Sequence, residues 1–163
     1  MAKTRKRKQE RLVHLSPGPL PVRFGERFAG QLLVFCDASQ KRHGGLAAVL
    51  FPDPEQPPLT FSLSVAAIGS NELELQAALF ALHQAAQHFP GRRLALFTDN
   101  SDAASRLACA CALGLEQDPA LAAMAPTPDF AALLALASVH WLKGHATCRG
   151  NALADEIAGH AAC

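Results

Sequence analysis

The stretch LLVFCDAS at residues 32–39 predicts a strand buried on both faces, because five apolar residues followed by an acid are typical of such strands. Two further strands follow as GGLAAVLF (44–51) and LTFSLSVAA (59–67), separated by the turn-rich segment PDPEQPP. RLALFTDN (93–100) is another apolar strand that ends in an acid, and SVHWLKGH (138–145) is a last strand. The chain therefore opens with three consecutive strands and adds two more later.

Helical patterns lie between these strands. Apolar residues recur at helical spacing over residues 70–89, and a Pro-Gly pair marks the end of that helix. Residues 101–137 are Ala-rich and helical, with breaks around Gly114 and at three prolines, and NALADEIAGHAA (151–162) closes the chain as a short helix. Because strands that alternate with helices need crossovers, this order predicts an α/β fold with parallel strand pairs beside the antiparallel opening hairpins.

Length and composition fit one compact domain. With 163 residues, 50% of them hydrophobic and 18% charged, the chain is long enough for one core and too short for two. No apolar run approaches the roughly 18 residues of a membrane span, and the charged start lacks a signal peptide's apolar stretch. The five cysteines are odd in number and include no CxxC, which disfavours a disulfide framework or a zinc site. We therefore expect a cytoplasmic monomer without membrane association, with its domain at residues 31–163.

The first 30 residues differ from the rest in charge and composition. Residues 1–11, the basic arm, carry a net charge of +5, whereas the chain from residue 12 onward carries −4. Residues 12–30, the lead-in, are rich in Pro and Gly, which predicts a linker or an irregular segment. The arm fits contact with a polyanion such as nucleic acid, and a solvated terminus explains its composition equally well. An organelle-targeting segment is less favoured because the arm contains no Ser.

Four acids occupy positions at which their carboxylates can converge. Asp37 and Asp99 stand at strand ends, beside the crevice where open α/β sheets carry their sites. If the two strands are neighbours, repulsion between these carboxylates is costly without a cation between them. Glu74 and Asp155 each share a helix face with small residues, which lets the helix approach another element closely. Such oxygen ligands suit two Mg²⁺ or Mn²⁺ ions about 4 Å apart, which promote phosphoryl transfer.

Each acid also has an ordinary structural explanation. Asp99 has the position of a helix N-cap, and Asn71 with Glu74 has the spacing of a capping box. Asp155 could offset the dipole near a helix start, and Asp37 could open an Asp-Ala-Ser turn. Taken singly, these explanations are favoured. These explanations account for each acid separately, and they do not require the four acids to occur in this order along the chain.

Four segments carry a family resemblance: CDAS (36–39), NELELQAAL (71–79), FTDN (97–100) and WLKGHATCRGNALADEIA (141–158). In them the sequence resembles ribonuclease H of type 1, including the ribonuclease H domains of retroelement reverse transcriptases. The resemblance implies a ribonuclease H-like fold, a mixed five-stranded sheet flanked by helices. It implies an endoribonuclease that hydrolyses the RNA strand of RNA/DNA hybrids and leaves 5′-phosphate and 3′-hydroxyl ends. The implied ligands of two Mg²⁺ ions, with Mn²⁺ as a substitute, are Asp37, which bridges both ions, Glu74, Asp99 and Asp155.

The resemblance also implies roles around the carboxylates. His145 matches the mobile-loop histidine of the family, which assists proton transfer or product departure, and a solvated loop histidine is the alternative. Asn71 matches a position that contacts the hybrid. Because the ribose 2′-hydroxyl distinguishes RNA from DNA, polar groups near the acids are candidates to read it. These candidates are Ser39, Ser70 and Asn71.

Positive charge departs from the pattern of the family. Many members carry a basic helix and loop before the final strand that grips the DNA strand, whereas this chain has no Lys or Arg from Leu107 through Leu142. Lys41 and Arg42, after the first strand, are candidates for phosphate contacts or an exposed turn pair. We therefore expect a partner protein or the basic arm to supply affinity for the hybrid.

Two alternatives to this function stay open. One is a DNA nuclease of the same superfamily, of the resolvase or transposase type, which the spacing of the GH, GN and AD pairs disfavours. The other is a hybrid-binding module that needs a partner for activity, which the presence of all four carboxylates disfavours. Trp141, on the last strand, is predicted to pack in the core rather than to stack on bases.

Overall fold

A mixed sheet forms the centre of the molecule. The computed structural model describes residues 16–125, 129–143 and 148–163, and these residues form a five-stranded sheet with the order β3-β2-β1-β4-β5. The strands are β1 (Leu32–Gln40), β2 (Gly44–Phe51), β3 (Leu59–Val65), β4 (Leu94–Thr98) and β5 (Ala137–Trp141). The central strand β1 pairs antiparallel with β2 and parallel with β4. This confirms the mixed sheet that the order of strands and helices predicts.

Helices cover both faces of the sheet. They are α1 (Ser70–His88), α2 (Ser101–Leu113), α3 (Pro119–Met124), α4 (Phe130–Leu136) and α5 (Arg149–Ala161). The predicted break at Gly114 is confirmed, because α2 ends there at a φ of 92° that favours glycine. β5 is shorter than predicted and ends at Trp141. Within the described residues, none of the helices combines the length and the apolar character needed to cross a membrane.

Side chains of β1 alternate between two hydrophobic clusters, one on each face of the sheet. Leu32 and Val34 belong to the cluster that includes the buried side of α1. Leu33 and Phe35 belong to the cluster that includes α5 and Phe28 of the lead-in. Burial on both faces explains why β1 begins with an uninterrupted apolar run, residues 32–36, before Asp37.

α5 lies close to the sheet because glycines face it. A Cβ on Gly45 of β2 would overlap with the carbonyl oxygen of Ala158 and lie 2.7 Å from the backbone nitrogen of Ala162. A Cβ on Gly150 of α5 would overlap with the ring of Phe35. These two contacts fix the helix at both ends and thereby fix the position of its central residues over β1 and β2.

The described part of the lead-in, residues 16–30, packs against the same cluster as α5. Phe28 is buried, and its ring lies edge-on to that of Phe97 with the centroids 5.2 Å apart. The Arg149 Nε donates a hydrogen bond to the carbonyl oxygen of Ser16 at 2.7 Å. The domain boundary between residues 30 and 31 stays a prediction, and the segment before it contributes side chains to the core.

Candidate active site

Asp37 lies on the central strand, opposite Ala47 of β2. It is only 3% exposed, and its Oδ1 accepts a hydrogen bond from the backbone N–H of Ala38 at 2.9 Å. The alternative that Asp37 opens a turn is wrong, because β1 continues as regular strand through Gln40. A carboxylate buried this deeply needs partners other than bulk water to carry its charge.

Glu74 and Asp99 reach Asp37 from two other elements. Asp99 directly follows β4, and the parallel pairing of Phe97 with Phe35 of β1 brings Asp99 level with Asp37. Glu74 lies in the second turn of α1 and is half-buried. One carboxylate oxygen from each of the three acids lies within 4.8 Å of the other two. The structure therefore brings three of the four predicted ligands together.

Asp155 approaches the same cluster from α5 and is exposed. Hydrogen bonding with Asp155 is one of the causes that raise the pKa of Asp37, which places the two carboxyl groups next to each other. Asp155 is beyond the first turn of α5, where no acid occurs, so dipole compensation does not explain its position. The close approach of α5 at Gly45 explains how a helical residue reaches the central strand.

Burial and mutual repulsion raise the pKa values of two of these acids. Burial is the main cause that raises the pKa of Asp37 to about 9, and the charges of Asp99 and Glu74 raise it further. Burial also raises the pKa of Glu74 to about 7, with the charge of Asp99 as the next cause. Without a cation, both carboxyls therefore hold protons at pH values where ordinary carboxyls are ionised.

This donor set fits a divalent cation. The Oε2 atom of Glu74 is buried and has no hydrogen-bond partner within the part of the chain that the structure describes, and a cation would satisfy it. Carboxylate oxygens are the ligands that Mg²⁺ and Mn²⁺ prefer. The positive charge would also offset the repulsion that raises these pKa values. The residues able to hold a cation are Asp37, Glu74 and Asp99, with Asp155 beside them.

Asn100, rather than Asp99, caps α2. Its side-chain Oδ1 accepts a hydrogen bond from the backbone N–H of Ala103 at 2.8 Å, so the capping explanation for Asp99 is wrong. Gly69 holds the N-cap position of α1 without a side-chain cap, so the capping box at Asn71 is wrong as well. Instead, the Oδ1 of Asn71 accepts a hydrogen bond from the Nδ2 of Asn100 at 3.3 Å. Asn100 is not among the residues predicted from the sequence, although an Asn directly before a helix is a capping signal.

Trp141 is not the core residue that the sequence predicts. It is 48% exposed, because β5 is an edge strand of the described sheet and Trp141 stands at its end. The indole Nε1 donates a hydrogen bond to the backbone carbonyl of Asp99 at 3.0 Å. The next residue, Leu142, donates its backbone N–H to the carbonyl of Thr98 at 2.8 Å. These two bonds hold the backbone that carries the Asp99 carboxylate.

Comparison with known families identifies the chain. A family model described as RNase H matches residues 29–163, which is most of the sequence. The chain belongs to the RNase H family. Members of this family are nucleases, so the acids described above belong to a hydrolase. A comparison with curated proteins gave no significant sequence match.

Solved structures share this RNase H fold. The RNase H domain of prototype foamy virus is 20% identical, with a TM-score of 0.61 over 82% of this chain and 96% of the domain. The protease-reverse transcriptase of that virus is 19% identical, with a TM-score of 0.60 over 83% of this chain. This chain spans only 21% of that protein's length. LC11-RNase H1, solved in complex with an RNA/DNA hybrid, is 13% identical, with a TM-score of 0.57 over 80% of this chain and 95% of that one. At these identities, the similarity concerns the fold.

Most of the predicted hybrid contacts of this RNase H lie at the surface. Ser39 is half-buried near the end of β1, two residues after Asp37. Ser70 and Asn71 are exposed in the first turn of α1, and Arg42 is exposed in the turn between β1 and β2. These positions leave the side chains of Ser70, Asn71 and Arg42 accessible to a ligand.

Lys41 contacts the protein itself. Its Nζ donates a hydrogen bond to the carbonyl oxygen of Gly159 at 3.1 Å, close to the C-terminus of α5. A cation at this end of a helix offsets the negative end of the helix dipole, so Lys41 helps to hold α5. The phosphate contact predicted for Lys41 stays a prediction. His145 lies outside the described residues, and its role also stays a prediction.

The segment between α2 and β5 offers no positive charge to a nucleic acid. No Lys or Arg occurs from Leu107 through Leu142. Arg106, just before this stretch, forms a bidentate pair with Asp118, with N–O distances of 2.9 and 3.0 Å. The hydrogen bonds from Arg106 lower the pKa of Asp118. The arginine that directly precedes this stretch is therefore engaged within the protein.

Proposed function

We propose that this RNase H hydrolyses the RNA strand of RNA/DNA hybrids and leaves 5′-phosphate and 3′-hydroxyl ends. The observation that carries the proposal is the cluster of Asp37, Glu74 and Asp99, whose carboxylate oxygens lie within 4.8 Å of one another beside the central strand. The family to which the chain belongs and the hybrid bound to the structurally similar LC11-RNase H1 support this substrate.

In this proposal the four carboxylates hold two Mg²⁺ ions, or Mn²⁺ in their place. Asp37, Glu74 and Asp99 would hold the ions together with Asp155, which lies beside Asp37. When bound, the ions activate a water for attack on the phosphodiester and stabilise the leaving oxygen. The buried Oε2 of Glu74, which lacks a partner in the described chain, supplies one oxygen for this purpose.

The protein fixes these groups before substrate binds. The Ala38 N–H holds one oxygen of Asp37, and the Trp141 indole holds the backbone at Asp99. Gly45 lets α5 carry Asp155 to the site. Carboxylates fixed in this way need little rearrangement during reaction, which is the usual source of electrostatic catalysis. His145 is proposed to take up or release a proton as the product departs.

Recognition of the RNA strand is assigned to polar groups next to the cluster. Asn71 lies one helical turn before Glu74 and is exposed, and Ser70 precedes it. Ser39 lies two residues beyond Asp37 on β1. Hydroxyl and amide groups of this kind can hydrogen-bond to the ribose 2′-hydroxyl, which lies in the shallow minor groove. DNA lacks this hydroxyl. Arg42 is assigned a phosphate contact.

Affinity for the hybrid is assigned to the basic arm, whose net charge is +5. Ser16, the first described residue, is bound to Arg149 at the start of α5. Asp155 lies six residues further along α5, or about 9 Å along the helix axis. The described part of the chain therefore begins on the helix that carries Asp155, whereas the segment from Leu107 through Leu142 contains no Lys or Arg.

Deletion of residues 2–11 tests this assignment. Log affinity falls with log salt, and this slope should become less steep by about 0.9 for every phosphate that the shortened protein no longer neutralises. We expect weaker hybrid binding and a slope reduced by several such steps. Unchanged affinity and slope would reject the arm and point to a partner protein.

The substrate is tested with four duplexes of one sequence: the RNA/DNA hybrid, RNA/RNA, DNA/DNA and a DNA duplex with a single ribonucleotide. Purified protein is incubated with each in Mg²⁺ and in Mn²⁺, with Asp37→Asn as the control. We expect cleavage of the hybrid and none of the DNA duplex. Cleavage of DNA/DNA would replace the proposal with a resolvase-like activity. Hybrid binding without cleavage would indicate a binding module.

A further inference from the structure

The side chain of Asn100 is held at both of its polar ends. Its Oδ1 accepts the backbone N–H of Ala103 at 2.8 Å as the cap of α2. Its Nδ2 donates to the Oδ1 of Asn71 at 3.3 Å. The backbone N–H of Asn100 also donates to the Oγ1 of Thr98 at 3.2 Å. Because the cap must be an acceptor, the amide of Asn100 can present only its NH₂ group to Asn71.

This arrangement decides which way the amide of Asn71 turns. An asparagine amide has one acceptor oxygen and one NH₂ group with two donors. Since Asn100 is a donor, the Oδ1 of Asn71 must face it, as the structure shows. The NH₂ group of Asn71 then remains for a ligand on the exposed side of α1. Asn71 therefore offers hydrogen-bond donors, and not an acceptor, next to the turn that carries Glu74.

The edges of base pairs in a minor groove are rich in acceptors, namely N3 of purines and O2 of pyrimidines. A donor at Asn71 complements these atoms, whereas an amide turned the other way would present an oxygen to them and repel them. We propose that Asn100 is a positioning residue that turns Asn71 into a donor for minor-groove acceptors of the bound hybrid. This inference rests on the proposed function, since it needs a hybrid in the site.

Asn100→Ser is the variant that tests the inference. Serine keeps an acceptor for the cap of α2 but cannot donate to Asn71 with the reach of an amide. We expect the Kd for a hybrid, measured in Ca²⁺ so that turnover does not interfere, to rise about three- to tenfold, which is the usual effect of removing one hydrogen bond. KM should rise by a similar factor and kcat should change less. Ser105→Ala, at an exposed position one turn further along α2, is the matched control.

Coupling to Asn71 separates this role from a purely structural one. In an Asn71→Ala background, Asn100→Ser should have no further effect on Kd, and the Tm should stay within a few degrees of the parent. A hybrid that carries 3-deazaadenine, which lacks the N3 acceptor, should bind wild type and Asn100→Ser about equally. Equal penalties in both backgrounds, or a loss confined to kcat, would overturn the inference. If wild type neither binds nor cleaves a hybrid, the proposed function fails instead.

Discussion

Replacing Asp37 with Asn should stabilise the metal-free protein, and increasingly so as pH rises. The pKa of Asp37 is raised to about 9 in the folded state, mainly by burial, from an ordinary value of 3.8. Between these values the folded chain keeps a proton that the unfolded chain has lost, so the free energy of unfolding falls as pH rises. One such proton changes it by at most about 1.4 kcal/mol per pH unit. From pH 5 to pH 8, the penalty that Asp37 adds is therefore about 2–4 kcal/mol.

Asparagine removes this penalty without changing the shape of the side chain. Its Oδ1 can still accept the N–H of Ala38, and it does not ionise. Urea unfolding of both proteins at pH 5, 6, 7 and 8 in EDTA measures the difference, with Glu116→Gln as an exposed control. We expect the variant's advantage to grow with pH and to shrink when Mg²⁺ is added, because the ion stabilises only the wild-type site. Stability curves that stay parallel across this pH range would refute the reasoning.

Three further changes test other parts of the site. Gly45→Ala places a Cβ against the backbone of Ala158, so we expect the free energy of unfolding to fall by about 1–3 kcal/mol and hybrid cleavage to fall with it; an unchanged urea midpoint would contradict the close packing of α5. Trp141→Phe removes the donor to the Asp99 carbonyl, so calorimetric titration with Mn²⁺ should show about three- to tenfold weaker binding; equal affinity would show that this bond is dispensable. Glu74→Gln removes a carboxyl whose pKa burial raises to about 7, so the metal-free Tm at pH 8 should rise and the Mg²⁺-induced increase should shrink. A larger Mg²⁺ effect in that variant would exclude Glu74 as a ligand.

The sheet was predictable because its central strands are buried on both faces. Residues 32–36 of β1 and residues 94–97 of β4 are apolar runs without alternation, which is typical of strands that are buried on both faces. Edge position is harder to predict. Trp141 was predicted to be core because it is large and apolar, yet it stands at the end of an edge strand where its ring is half exposed.

The order of the acids along the chain made the candidate site predictable. The contacts that its residues make in the folded protein were not predictable from local sequence. The sequence around Asp99 offers Asp, Asn and Ser in a row, and any of them can cap a helix. In the folded protein the Oδ1 of Asn100 accepts the N–H of Ala103, so Asn100 is the cap. The hydrogen bond of Lys41 was not predictable either, because its partner Gly159 is 118 residues away in sequence and no local pattern reveals it.

Strand-specific cleavage tests whether this protein hydrolyses the RNA strand of a hybrid in a metal-dependent reaction. A hybrid labelled separately on its RNA and DNA strands is incubated with wild type and Asp37→Asn, in Mg²⁺ and in EDTA, and the product ends are typed by ligation and by polymerase extension. We predict that wild type in Mg²⁺ cuts only the RNA strand and leaves 5′-phosphate and 3′-hydroxyl ends. We predict no cleavage by Asp37→Asn or in EDTA. Cleavage of the DNA strand, or RNA cleavage that survives either the substitution or EDTA, would contradict this claim.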